Sequence, residues 1–215
     1  MVFPDWQLQP EYLFSQCKII PVLTVQEPET AVALAQALLS GGMNVLEITL
    51  RTSTALEIIR ILSLEFPQAI IGAGTVLNSA QLDLAMKAGA KFALSPGVTP
   101  ALLNAAKSGR IPFIPGCSHV SEIMVAMDYG FQHFKLFPAE AIGGKAFLKA
   151  IHAPLPNIRF CPTGGINTQN YLQYLNLPNV DCVGGSWMID SESIERKEWQ
   201  QITASCQEML SGLRD

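Results

Sequence analysis

The sequence predicts an α/β protein, a single (β/α)8 TIM barrel preceded by a short N-terminal helical extension. Short apolar runs alternate eight times with patterns of helical periodicity, which indicates either a closed barrel or an open doubly wound sheet. The repeat is short and even, and no GxGxxG motif follows the first strand, which favours the barrel. Polar residues also recur at the ends of several different strands, where such barrels assemble their active sites. An open sheet would gather them at one switch point.

The predicted elements follow one another after an N-terminal segment that carries a helical pattern over 9–17. Apolar runs bounded by Gly and Pro predict strands at 19–25, 44–50, 69–76, 92–95, 111–115, 131–137, 158–161 and 180–183. Amphipathic patterns predict helices at 28–40, 53–65, 79–88, 100–108, 120–129, 145–152 and 169–175, and a last helix over 193–210. Asn78, Thr99 and Ser118 carry cap signals for three of the helix starts.

Composition and charge bound the class of protein. No linker or low-complexity segment interrupts residues 19–215, which predicts one barrel domain after an extension over 1–18. A net charge of −4 gives no electrostatic footprint for nucleic acid, and no apolar window is long enough to span a membrane. The N-terminus lacks a secretion signal, and the five cysteines are scattered without a CxxC pair. Reduced thiols in a cytoplasmic protein have this pattern.

One predicted strand, 131–137, contains a lysine. Period-two alternation places Lys135 on the same face as the aromatic side chains of Phe131 and Phe137. An ammonium group is expensive to bury, so burial favours the neutral amine, a nucleophile that attacks carbonyl carbons to form Schiff bases. The alternative is a lysine at a strand end whose ammonium group reaches solvent or a carboxylate.

The strand predicted at 44–50 supplies that lysine with a partner. Its alternation places Glu47 on the barrel axis, with Arg51 just past the strand. Glu47 and Lys135 could be only a buried ion pair, but such pairs stabilise proteins less than apolar residues do, which favours a proton-shuttling role for Glu47. Arg51 suits a bidentate hold on a substrate carboxylate, or it could be a surface arginine that pairs with Glu57.

Glycine-rich segments follow the last two predicted strands, at 162–166 and 184–187. Loops at these two places bind phosphate through backbone N–H groups in many (β/α)8 barrels, which favours a phosphate site here, and a set of tight turns is the alternative. Small residues at 72–74 leave space in the barrel mouth, where the Thr75 hydroxyl can contact an oxo-acid. The three histidines lie on separate elements without HxxH or HxxxH spacing, so no metal site is predicted, and His133 is interpreted as a core residue.

Seven segments carry a family resemblance in addition to this chemistry. They are VLEITLRT, IIGAGTVLN, SPGVTP, IPGCS, FKLFPAE, RFCPTGGI and GGSWM, in this order between Ile19 and Met188. Together they resemble the 2-keto-3-deoxy-6-phosphogluconate (KDPG) aldolases, a family that includes 4-hydroxy-2-oxoglutarate (KHG) aldolase. The resemblance implies a metal-independent class I aldolase of the Entner–Doudoroff pathway that cleaves KDPG to pyruvate and glyceraldehyde 3-phosphate. It also implies a cytoplasmic homotrimer whose partners are small 2-keto acids and whose only cofactor equivalent is an imine on Lys135.

The resemblance assigns residue roles as well. Lys135 is implied to be the Schiff-base lysine and Glu47 the proton acceptor and donor. The implied substrate-binding residues are Arg51 and Thr75 for the carboxylate, Pro96 and Phe137 as pocket walls, Thr163 for the hydroxyl, and Gly164, Gly165, Gly185 and Ser186 for phosphate. Cleavage mainly of KHG, or decarboxylation of oxaloacetate by the same lysine, remains an alternative. A phosphosugar isomerase barrel would need no imine, and a binding barrel would need neither Lys135 nor Glu47.

Overall fold

Strands and helices alternate along the chain in the computed structural model, which describes residues 3–213. Residues 1–2 and 214–215, the outer ends of the two predicted domain ranges, lie outside it. The strands are β1 Ile19–Leu23, β2 Val45–Thr49, β3 Ile70–Gly74, β4 Phe92–Leu94, β5 Phe113–Ile114, β6 Gly116–Cys117, β7 His133–Leu136, β8 Arg159–Pro162 and β9 Val183–Gly185. The helices are α1 Pro10–Ser15, α2 Pro28–Ser40, α3 Ala55–Glu65, α4 Ser79–Lys87, α5 Pro100–Lys107, α6 Val120–Asp128, α7 Gly144–His152, α8 Tyr171–Leu175, α9 Ser191–Glu195 and α10 Trp199–Ser211, with a 3-10 turn at Glu140–Ile142.

The strands form two parallel sheets. Their orders are β5-β4-β3-β2-β1-β9 and β6-β7-β8. Only Pro115 separates β5 from β6, and single parallel bridges join Phe160 to Val180 and Thr163 to Gly184. The predicted α/β class with parallel strands is confirmed.

Most predicted elements match the observed ones to within two residues at each end, and three differ by a break or by a larger shift. The single strand predicted at 111–115 is instead two strands of two residues each, β5 and β6. Pro115 separates them and has no N–H to donate. The strand predicted at 180–183 begins three residues later, because Val183 and Gly184 pair with Ile19 and Ile20. The last predicted helix is two helices, α9 and α10, and Lys197 between them has a φ of 56°, outside the helical region.

Two of the three predicted helix caps are confirmed. The side chains of Asn78 and Thr99 accept hydrogen bonds from backbone N–H groups in the first turns of α4 and α5. The third cap is wrong by one residue, since His119 and not Ser118 caps α6. Ser118 instead donates its N–H to the Glu122 carboxylate at 2.6 Å, so the same helix start uses an acidic residue in its first turn.

The N-terminal segment packs at the starts of β5 and β7. Phe3 stacks on Trp6 with ring centroids 4.1 Å apart, and both rings contact Phe131. The Trp6 indole donates a hydrogen bond to the carbonyl of Ala106 at 3.2 Å. Phe14 of α1 meets His133 edge to face at 5.7 Å. The predicted helix over 9–17 is thus observed as α1, and the segment around it covers the strand ends with buried aromatic rings.

All five cysteines are buried and unpaired. Among the helices within residues 3–213, none combines the length and the apolar character needed to cross a membrane.

Candidate active site

The centre of the site is a contact between the two ionisable residues that the sequence placed on the barrel axis. The Nζ of Lys135 on β7 lies 2.9 Å from the Oε1 of Glu47 on β2. Lys135 is 5% exposed and Glu47 is 1% exposed. β2 and β7 belong to different sheets, so both side chains point into the space between the sheets. The predicted strand alternation and the predicted pairing are both correct.

A glycine on the neighbouring strand makes room for this carboxylate. Gly74 ends β3, next to β2. A Cβ built on Gly74 would lie 2.7 Å from the Cγ and Cδ atoms of Glu47, closer than real Cβ atoms approach other heavy atoms. The small residues predicted to leave space at 72–74 therefore do so for a protein side chain at this position.

The pair opens into a cavity of about 300 Å³. This volume lies at the lower end of the range for small-molecule sites, which suits a substrate of a few carbon atoms. Seven residues of the predicted site line it: Glu47, Arg51, Thr75, Pro96, Lys135, Phe137 and Thr163. The structure thus brings together the residues predicted to handle the oxo-acid end of a substrate.

Two further lining residues, Val22 and Thr49, were missing from the predicted site. The Thr49 hydroxyl is 2.8 Å from that of Thr24 and donates to the carbonyl of Leu23 at 3.1 Å. A signal for Thr49 existed, since it follows Glu47 on the same face of the same strand. Val22 offered none, because valine is an ordinary residue of any buried strand.

One wall of the cavity is apolar and aromatic. The ring centroid of Phe137 lies 5.6 Å from the Nζ of Lys135. Such a wall limits access of water to the amine and leaves the Glu47 carboxylate as its charged neighbour.

Thr75 adopts a backbone conformation that a β-branched residue rarely takes. Its φ is +58°, in the left-handed region, immediately after β3. This conformation costs of the order of 1–3 kcal/mol for a non-glycine residue, and such strain is typical of functional sites. Glycine would adopt this φ more easily. The chain nevertheless has a threonine, with its hydroxyl group, at this position of the cavity wall.

Arg51 lies exposed at the rim of the same cavity. The alternative of a surface pair with Glu57 is not realised, since no ion pair joins the two side chains in the part of the chain that the structure describes. A guanidinium group that lines the cavity at its rim can hold the carboxylate of a small ligand through two hydrogen bonds.

The four residues predicted to contact phosphate lie outside the cavity lining but beside Thr163. The bridge between Thr163 and Gly184 holds the ends of β8 and β9 together. Gly164 and Gly165 have φ values of +99° and +79°, which glycine adopts without strain. The backbone N–H groups of Gly165 and Ser186 donate to no protein acceptor within residues 3–213.

The bounds of β9 correct one detail of the prediction from the sequence. The segment 184–187 was predicted as a loop, but Gly184 and Gly185 are strand residues of β9. Only Ser186 and Trp187 follow the strand, and the Trp187 ring covers the position where a Cβ of Gly185 would point. The absence of a side chain at Gly185 therefore lets the Trp187 ring pack against the end of β9.

The histidines lie apart from this site and from one another. His119 caps α6, His133 begins β7, and His152 ends α7. His133 is 8% exposed, and its Nε2 is 3.9 Å from carboxylate oxygens of both Glu11 and Asp181. Burial lowers its pKa, against the opposing effect of the two carboxylates. Among the described residues, no three His, Cys, Asp or Glu side chains are grouped so that they could hold a metal ion.

The fold and the site define an α/β protein with a buried lysine–carboxylate pair in an accessible cavity. The chain matches the family described as KDPG and KHG aldolase over residues 11–205. It is 50% identical over 208 residues to the 2-dehydro-3-deoxy-phosphogluconate aldolase of Pseudoalteromonas atlantica, with 97% of each chain covered. It is 48% identical over 210 residues to the KHG/KDPG aldolase of Escherichia coli K12, covering 98% of this chain and 99% of the relative.

A solved structure agrees. The KDPG aldolase of Legionella pneumophila, with pyruvate captured at low pH as a covalent carbinolamine intermediate, superposes with a TM-score of 0.93. The two chains are 48% identical, and the match covers 94% of this chain and 98% of that one. The chain therefore belongs to the KDPG and KHG aldolase family, as its sequence motifs predicted.

Proposed function

We propose that this chain is a class I aldolase that cleaves KDPG to pyruvate and glyceraldehyde 3-phosphate and also cleaves KHG to pyruvate and glyoxylate. The observation that carries the proposal is the buried contact of 2.9 Å between Lys135 Nζ and Glu47 Oε1 in a cavity open to a small ligand. The Legionella relative holds pyruvate as a covalent carbinolamine, which is the product of an amine adding to a ketone. The Escherichia coli relative is named for both substrates.

The first step is attack on the ketone. Glu47 accepts a proton from the Lys135 ammonium group, and the freed amine adds to C2 of the 2-keto acid. The resulting carbinolamine loses its hydroxyl group as water and becomes a protonated imine. Both proton transfers need a carboxylate within reach of Nζ, and Glu47 is in direct contact with it.

The second step breaks the carbon–carbon bond. Glu47, through a water molecule, removes the proton of the C4 hydroxyl group, and the C3–C4 electron pair moves into the imine. The aldehyde leaves, and an enamine remains on Lys135. Protonation at C3 restores the imine, and its hydrolysis releases pyruvate and the free lysine. The imine is the electron sink, so the proposed reaction needs no metal ion and no separate cofactor.

The remaining residues hold the substrate in this proposal. Arg51 and Thr75 bind its carboxylate, Pro96 and Phe137 form walls, and Thr163 meets the C4 hydroxyl group, all as residues that line the cavity. Ser186 and the glycines Gly164, Gly165 and Gly185 bind the phosphate of KDPG. The support for this last role is the unused N–H groups next to Thr163, which can converge on an anion.

Several features of the whole chain are part of the proposal. We propose that β5 and β6 act as one strand and that the two sheets close as a (β/α)8 barrel, formed by residues 19–215 behind the extension 1–18. The continuity through Pro115 and the Thr163–Gly184 bridge support closure. A homotrimer in the cytoplasm, serving the Entner–Doudoroff pathway, follows from the family resemblance. Five buried unpaired cysteines fit a reducing compartment.

Steady-state kinetics on KDPG and KHG, with wild type and Lys135→Arg, test the proposal. A guanidinium group stays protonated and cannot attack a ketone, so the variant should be inactive on both substrates. Wild type should turn over both, with the higher kcat/KM for KDPG. Retained turnover in Lys135→Arg would contradict the imine mechanism. A wild type that cleaves neither substrate would make a phosphosugar isomerase the better assignment. A higher kcat/KM for KHG would make KHG cleavage the main reaction.

A further inference from the structure

The segment that follows β7 holds the loop that the proposed function assigns to phosphate. The N–H of Ala139 donates to the carbonyl of Thr163 at 2.8 Å, and the N–H of Glu140 donates to that of Gly164 at 3.1 Å. The side chain of Glu140 also packs on Gly165, where a Cβ would lie 2.7 Å from its Cβ and Cγ atoms. Glu140 is thus in contact with two successive loop residues through its backbone and its side chain.

The carboxylate of Glu140 has a specific partner on another element. The hydroxyl group of Tyr174, on α8, donates a hydrogen bond to Glu140 Oε1. The Tyr174 side chain is fully buried, so its hydroxyl group has few other partners available. Burial, and then the Glu140 carboxylate, raise the pKa of Tyr174, so the phenol stays protonated and remains a donor at neutral pH.

The same helix holds the loop from its other side. Asn170, at the N-cap of α8, donates its side-chain N–H to the carbonyl of Gly165 at 3.0 Å. The backbone N–H of Tyr174 donates to the carbonyl of Asn170 at 3.2 Å. The loop from Thr163 to Gly165 is therefore held between Glu140 and α8, and the Tyr174–Glu140 hydrogen bond closes the ring of contacts.

The negative charge of Glu140, next to this loop, bears on phosphate binding. A carboxylate next to an anion-binding loop repels a phosphate group, and a glutamate free to rotate could also accept hydrogen bonds from the loop N–H groups. The hydroxyl group of Tyr174 holds the Glu140 carboxylate by a hydrogen bond. The Nζ of Lys145 lies 5.4 Å from the centroid of the Tyr174 ring. The hydrogen bond thus keeps the loop N–H groups available for another acceptor.

We propose that Glu140 and Tyr174 are positioning residues for phosphate recognition: their hydrogen bond fixes the Thr163–Gly165 loop with its N–H groups directed towards the substrate phosphate. This inference rests on the proposed function, since it assigns the loop a phosphate to bind. It adds two residues that touch neither the reacting atoms nor the cavity of Lys135.

The test compares Tyr174→Phe with Tyr129→Phe. The first removes the hydrogen bond and keeps the ring, and the second makes the same chemical change on the partly buried C-cap of α6, away from the site. Tyr174→Phe should raise KM for KDPG about 5- to 10-fold with kcat nearly unchanged, and leave KHG kinetics within about 2-fold. Inorganic phosphate should raise the melting temperature of wild type and of Tyr129→Phe, and raise it less in Tyr174→Phe.

Glu140 gives a second pair of variants should Tyr174→Phe fold poorly. Glu140 is exposed, so its substitutions leave the core intact. Glu140→Gln keeps an acceptor for Tyr174 and should retain the wild-type KM for KDPG, whereas Glu140→Ala should raise it as Tyr174→Phe does. Equal losses on KDPG and KHG, or a lower melting temperature with unchanged KM values, would overturn the inference and leave a purely structural contact. If wild type itself gains no stability from phosphate, the phosphate part of the proposed function fails first.

Discussion

Glu47 has two interpretations that one variant separates. As a proton shuttle, its replacement in Glu47→Gln should lower kcat by about 10²- to 10⁴-fold, the usual loss for a missing general base. As a mere ion-pair partner of Lys135, its replacement should lower stability and leave the activity per folded molecule largely intact. Thermal melting and steady-state kinetics on the same preparation distinguish these outcomes. Nearly full activity in a destabilised variant would contradict the proposed role.

His133 gives a pH dependence of stability with a defined sign. Burial lowers its pKa below 6.5, so the unfolded chain binds a proton near pH 6.5 that the folded chain does not yet bind. The contribution of His133 to the free energy of unfolding is therefore constant above about pH 7. As the pH drops through 6.5 towards the pKa of the folded state, the free energy of unfolding falls by at most about 1.4 kcal/mol per pH unit.

The measurement is the free energy of unfolding of wild type and His133→Gln, from urea titrations between about pH 5 and 8. The advantage of wild type over the variant should shrink below about pH 6.5. An advantage that grows in acid would mean that Glu11 and Asp181, each 3.9 Å away, outweigh burial.

The pairing of Glu47 with Lys135 was predictable because strand alternation fixes which side chains point inwards. Two opposite charges that point into one apolar interior must then meet, since either alone would be costly to bury. The unusual φ of Thr75 was not predictable, because nothing in the side-chain pattern distinguishes a strained threonine from a relaxed one. Nor could Val22 be found, since its type carries no chemistry.

At the scale of elements, the loop after β8 and the end of β9 decide which aldolase this is. Both lack Lys and Arg in 163–165 and 184–186, so phosphate binding would rest on N–H donors and the Ser186 hydroxyl group. Ser186→Ala should cost about 1.5–3 kcal/mol in kcat/KM for KDPG, the range for a hydrogen bond to a charged group. The same variant should cleave KHG almost normally, because KHG has no phosphate. Equal losses on both substrates would make these segments structural turns only.

The N-terminal segment gives a prediction in which the stability of the protein changes and its catalytic activity does not. Trp6 is 5% exposed and packs on Phe3 and Phe131 at the strand starts, so Trp6→Ala should lower the free energy of unfolding by about 3–5 kcal/mol. Tyr12 is 53% exposed in the same segment, and Tyr12→Ala should change it by less than about 0.5 kcal/mol. Urea unfolding and kinetics check this, and a fall in kcat of folded Trp6→Ala would contradict it.

Element boundaries show where pattern reasoning reaches its limit. The bounds of α2 were predicted to the residue, because Pro28 starts the helix and Gly41 follows its end. The start of β9 was wrong by three residues, because the apolar run at 180–183 precedes the backbone pairing that Ile19 and Ile20 impose. The break between α9 and α10 was missed, since Lys197 is a good helix former whose left-handed conformation is set by its surroundings.

At the scale of the whole molecule, the two ends of the strands have different tasks. Lys135, Glu47 and the cavity lie towards the strand ends that carry Thr75 and Thr163, whereas the aromatic contacts of the N-terminal segment lie at the strand starts. The class of fold follows from the alternation of elements along the chain. The closure proposed for the two sheets would depend on two single bridges and on Pro115, and no periodicity in the sequence reveals these.

The most direct test of the account is to trap the imine. Wild-type protein is incubated with pyruvate and sodium borohydride, which reduces an imine to a stable secondary amine, and its intact mass and peptides are then measured. The account predicts one reduced pyruvate adduct per chain, mapped to Lys135, and none in Lys135→Arg. An adduct on another lysine, or none in a preparation that cleaves KDPG, would contradict the class I mechanism.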